Sequence, residues 1–284
     1  MSITSQLSPI DSKQQTLTQQ YLIPHLEALE SELNRIRGLL DPELQQQFPL
    51  NGGKPYPIGR CMEISSAVYQ QLQAYIQQPE YLIHRVLQQF VIEGGIAKRV
   101  WGALRDQYFQ NAFQFGSLYV DVSNDTVDPS KPRVEILPLE NSGFCNITDF
   151  RHFARVARRY WQCEIWTNTV LPDLSPVFPL VVFYRQQGEV SLQPKGAYMQ
   201  MLNQQSGFEL AENFLRDPGE ETGPMPAPVT ELLVEQANRL GYTVAAGSEA
   251  ALARCETYRA NQYHREQGFL LEMLEKRNRF LGEV

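Results

Sequence analysis

Tyr56-Pro57-Ile58-Gly59-Arg60-Cys61-Met62-Glu63-Ile64-Ser65-Ser66-Ala67-Val68-Tyr69-Gln70-Gln71-Leu72 is the stretch on which the fold turns. A Pro/Gly turn delivers a cysteine to the first turn of an expected helix. Ile64, Val68 and Leu72 recur every four residues, so one face of that helix is apolar and meets the core. A cysteine at a helix N-terminus sits beside unpaired backbone N–H groups and the positive end of the macrodipole. Both favour the thiolate, which is the nucleophilic form. The other reading of Cys61 is a small buried apolar residue, the common state of a free cysteine.

Around this stretch the composition sets limits. With 284 residues, 43% hydrophobic and 20% charged, the chain can bury a substantial core. Its net charge of -7 disfavours nucleic acid, which needs a dense basic surface. Cys61, Cys145, Cys163 and Cys255 are scattered, with no C-x-x-C pair to hold a structural metal. No secretory signal pattern and no apolar run of spanning length is found. The expectation is a cytoplasmic protein with reduced thiols and no membrane association. No Gly-x-Gly-x-x-Gly or Walker loop supports a nucleotide, so no cofactor is expected.

Taken in order, residues 1–11 read as loose. A helix is expected from Asp11 or Ser12 to Leu40, bent at Pro24 and ended by Asp41-Pro42. The Cys61 helix fades near Gln78-Pro79. Gln89 to Ile92 reads as a short strand. Lys98 to Gly116 fits a loose helical stripe and also fits alternation. Ser117 to Val122 is a clearer strand, with Leu118, Val120 and Val122 facing one way and Tyr119 and Asp121 the other. Arg133 to Leu137 is another strand.

A helix follows from Thr148-Asp149 to Tyr160, with Arg151, Arg155, Arg158 and Arg159 on its polar face. Strands are expected at Glu164–Thr167, and at Leu180–Tyr184 paired through Gln187-Gly188 with Glu189–Gln193. The Pro- and Gly-rich stretch 218–228 reads as a linker. Helices are expected over Val229–Leu240 and Ser248–Leu281. The expected organisation is a helical segment 1–50, an α+β core 51–217, the linker, and a helical segment 229–284.

Tyr56-Pro57-Ile58-Gly59-Arg60-Cys61 and Leu118-Tyr119-Val120-Asp121-Val122-Ser123 together resemble bacterial transglutaminase-like proteins of the papain-like thiol superfamily. The resemblance covers roughly residues 50–130. It implies a Cys-bearing helix against an antiparallel sheet, with Cys61 as nucleophile and Asp121 as orienting group. It also resolves Lys98 to Gly116 as strands. Asn111-Ala112-Phe113 then stands where the family carries His-Ala-Trp, so Asn111 replaces the histidine. An amide neither takes the thiol proton nor hands one to a leaving amine, whereas imidazole does both near neutral pH.

His25, His84, His152 and His264 are the possible substitutes, with His152 placed best because its helix follows the strand region. His25-x-Glu27 and His264-x-Glu266 do not by themselves assemble a two-His, one-carboxylate metal site. Two function classes follow. One is a Cys-dependent enzyme, transferring or hydrolysing an acyl group at an amide or thioester, with altered catalytic residues. The other is a degenerate, non-catalytic member whose cleft binds a peptide or protein partner.

Overall fold

Asp11 opens the first helix, α1 (Ser12–Leu17), by accepting the Gln14 N–H at 2.8 Å. The chain then widens into a π-turn at Thr18–Leu22 and tightens into a 3₁₀ turn at Ile23–His25. Pro24 lacks an N–H and so cannot continue a regular helix; the expected bend is this pair of turns. The next helix, α2 (Leu26–Gln47), does not end at Asp41-Pro42 as expected. Pro42 lies inside it, and an Arg37–Asp41 ion pair of 2.8 Å together with buried Leu44 holds the last turns in place.

The computed structural model describes residues 6–185, 187–266 and 268–282. It shows an α+β chain with antiparallel sheets. A short ladder of β1 (Leu50–Asn51) and β2 (Lys54–Pro55) leads into α3 (Cys61–Gln77). Cys61 is the first residue of α3, and Ile64, Val68 and Leu72 are buried along it.

The strand expected at Gln89–Ile92 is instead the end of a helix, α4 (Leu82–Ile92). Ile83, Leu87 and Phe90 are its buried stripe, a 3.6-residue period that the short apolar run concealed. Lys98 to Gly116 does form strands: β3 (Ala97–Leu104) pairs with β4 (Tyr108–Phe115). With β5 (Leu118–Asp121), β6 (Glu135–Pro138) and β7 (Phe144–Cys145), these make a five-stranded antiparallel sheet ordered β6-β5-β4-β3-β7. A four-residue helix, α5 (Leu139–Ser142), joins the last two. Gly102 allows β7 to come close, because a Cβ there would lie 2.2 Å from the Cys145 carbonyl oxygen.

The sheet has two different faces. Phe113, Phe115, Leu118, Val120 and Val122 share a core with Ile64, Val68 and Leu72 of α3. Val100, Ala112 and Tyr119 point the other way, into a smaller cluster with Leu139 and Phe144.

The chain divides into two compact units, one ending at Asn146 and the other beginning at Ile147. The expected organisation set the core at 51–217 and a linker at 218–228, whereas the contacts within the chain cluster on either side of residue 146. The second unit opens with α6 (Phe150–Trp161), N-capped by Asp149. Its sheet is β8 (Glu164–Thr167), β9 (Leu180–Tyr184) and β10 (Glu189–Gln193), with the hairpin register running as the turn signal implies.

Helices α7 (Ala197–Gln205), α8 (Glu209–Arg216) and α9 (Ala227–Leu240) follow. The last expected helix is two, α10 (Ser248–Ala260) and α11 (Phe269–Leu281), separated by a 3₁₀ turn at Tyr263–Arg265. The stretch 218–228 does not hang free. Arg151 Nε donates to the Asp217 carbonyl at 2.6 Å, and Arg158 donates to the Glu221 carbonyl. Arg158, and Arg155 through an ion pair of 3.8 Å with Glu221, thus hold the stretch that composition alone marks as a linker, while Arg151 holds the residue just before it. Among the described residues no helix is long and apolar enough to cross a membrane.

Candidate functional site

The Cys61 turn is fixed from several directions. Gly59 N–H donates to the Thr126 carbonyl at 2.9 Å, tying the turn to the segment after β5. Tyr56 OH donates to Asp41 Oδ1 at 2.6 Å. Arg37, fully buried, donates to Asp41, to both carboxylate oxygens of Asp125 and to the Val122 carbonyl. One guanidinium of α2 thus holds the segment after β5 directly and the Tyr56 segment through Asp41. Sequence reading missed Arg37, because its partners lie up to 88 residues away.

Two of the three expected site residues meet. Asn111 Nδ2 donates to Cys61 Sγ at 3.5 Å. Asn111 stands opposite Trp101 in the β3–β4 ladder and shares its face with Phe113. Burial pushes the Cys61 thiol above its ordinary value, since a thiolate there would lack water. The Asn111 amide works against that rise, while the charges of Asp121 and Glu63 add to it. The helix terminus favours the thiolate by at most about 2 kcal/mol and the buried Arg99 guanidinium couples electrostatically with Cys61, yet the cost of burial outweighs both.

Asp121 does not join them. Strand alternation places it with Tyr119 and Ala112 on the opposite sheet face from Asn111 and Phe113. There it is fully buried and accepts hydrogen bonds from Gln110 Nε2 at 2.6 Å, Tyr119 OH at 2.9 Å and Ser123 N–H at 2.8 Å. Burial outweighs these donors and raises its pKa to about 6. The folded chain therefore holds this proton more tightly than the unfolded chain, whose carboxyl titrates near 3.8. That preference is worth about 3 kcal/mol, fully present below the unfolded value and lost as pH rises through about 6. In Asp121→Asn this step between about pH 4 and 6 is expected to vanish from a plot of urea midpoint against pH.

Neither histidine of the first unit supplies the base. His84 is fully buried, and its Nδ1 accepts from the backbone N–H groups of Glu80 and Tyr81 at 3.2 and 3.3 Å. Its Nε2 then carries the hydrogen and donates to Glu32 Oε1 at 2.8 Å. The ring stacks on Tyr75, fourteen residues and about 21 Å along α3 from Cys61. His25 opens α2, about 18 Å along the axis from Arg37. His152 and His264 belong to the second unit. Compared with known proteins, the chain matches no protein-family model, no curated protein and no solved structure.

Proposed function

We propose that the first unit is a degenerate thiol-fold module, of the transglutaminase-like kind, in which Cys61 and Asn111 bind an amide-bearing peptide rather than cleave it. The observation that carries this reading is the 3.5 Å contact from Asn111 to the sulfur. An amide occupies the position from which a base would have to act. Its second N–H and its oxygen match the donor and acceptor pattern of a peptide bond. Burial, which keeps the thiol protonated, supports binding over nucleophilic attack.

The enzyme reading, acyl transfer or hydrolysis through Cys61, draws support from the position of the cysteine at the start of a 17-residue helix. Thiol labelling separates the two. Near neutral pH, iodoacetamide is expected to modify Cys61 no faster than the exposed Cys145. Rapid, selective labelling of Cys61 would favour the enzyme.

A further inference from the structure

The sheet face turned away from α3 holds an extended piece of the chain's own N-terminus. Gln114, fully buried, directs both ends of its amide at one residue: Oε1 accepts the Ser8 N–H at 2.8 Å and Nε2 donates to the Ser8 carbonyl at 3.0 Å. A second bond, Nε2 to the Gly116 carbonyl at 3.2 Å, fixes which end is which. Asn146 Oδ1 accepts the Leu7 N–H at 2.8 Å. Lys98, opposite Gln114 in the ladder, donates to the Gln6 carbonyl and to Ser8 Oγ, both at 2.6 Å. Leu7 and Ile10 pack against the cluster of Val100, Leu104, Ala112 and Tyr119.

Side-chain amides that satisfy main-chain N–H and C=O groups do what a neighbouring strand does, and the apolar seats supply the choice of sequence. We infer that this face is a peptide-reading groove, occupied in cis by residues 6–10, which takes an extended peptide with apolar residues three positions apart when that strap leaves. The occupant's chemistry is read from the strap itself: Leu7 and Ile10 fill the seats, and the backbone of residues 6–8 meets the polar readers. The strap is then an autoinhibitory contact. It competes at the high effective concentration of a tethered ligand.

The test uses the full chain carrying Leu7→Asp and Ile10→Asp, with a fluorescent peptide of the sequence Gln-Leu-Ser-Pro-Ile-Asp-Ser (residues 6–12) as probe. Saturable anisotropy binding is expected, about tenfold or more tighter than to the intact chain. It is expected to be lost with a probe whose Leu and Ile are Asp. Adding Lys98→Ala, or Gln114→Met where circular dichroism shows the fold retained, is expected to weaken it. Absence of binding to the folded double variant, equal binding of the Asp-substituted probe, or a dimer that forms in place of peptide binding would each overturn the inference.

Discussion

Replacing Arg37 by methionine is expected to destabilise the first unit by about 3–5 kcal/mol, because two carboxylates lose a buried cation. Asp125 is only 8% exposed, so little water can replace the guanidinium there, and Asp41, 14% exposed, keeps only the more distant Arg133 at 3.5 Å. Arg37 also satisfies the Val122 carbonyl, and that acceptor would be left without its donor. The lost energy is tied to the site, since the same cluster holds Tyr56 before Cys61 and Asp125 after β5. Urea unfolding is the measurement. Adding Asp41→Asn and Asp125→Asn to Arg37→Met is expected to recover part of the loss, as the stranded charges are then gone. A cost below about 1 kcal/mol would show that the cluster does not hold the turn.

Asn111→His is expected to raise the rate of Cys61 alkylation at pH 7 by about tenfold or more. Imidazole branches at the same carbon as the amide, so its Nδ1 takes the place of the atom now 3.5 Å from the sulfur. An ordinary thiol is ionised by only about a few per cent at pH 7, and this one less. An imidazolium partner makes the thiolate the main form. The lower intrinsic nucleophilicity of a low-pKa thiolate offsets part of that gain, which leaves about the tenfold stated. Amide turnover is not expected to follow, because Asp121 lies on the other sheet face and cannot orient the new ring. Peptide-mapping mass spectrometry after timed alkylation reads the rate. An unchanged rate would mean that residue 111 does not control the thiol.

What was legible in the sequence was what local spacing controls. The Ile64, Val68 and Leu72 period placed α3, and alternation at Leu118–Val122 placed β5. That alternation already set Asp121 apart from the Val120 face; the family resemblance, not the residue pattern, drew it toward Cys61. Long-range terms were not legible. Arg37 sits among Leu33, Ile36 and Leu40 like any polar residue on a helix, and nothing near it announces Asp125. Gln89–Ile92 misled because four apolar and polar residues fit a strand, while the helical stripe needs Ile83 and Leu87 to be seen. The unit boundary at Asn146-Ile147 carries no glycine or proline, whereas the Pro-rich 218–228 stretch is held by Arg155 and Arg158.

The pH–rate profile of iodoacetamide alkylation at Cys61 in the unaltered chain decides whether this sulfur is a neutral, amide-held thiol. Slow labelling at pH 7 and an inflection above that of free cysteine are expected. Fast labelling with an inflection below that of free cysteine would contradict that state, and would return Cys61 to the role of nucleophile.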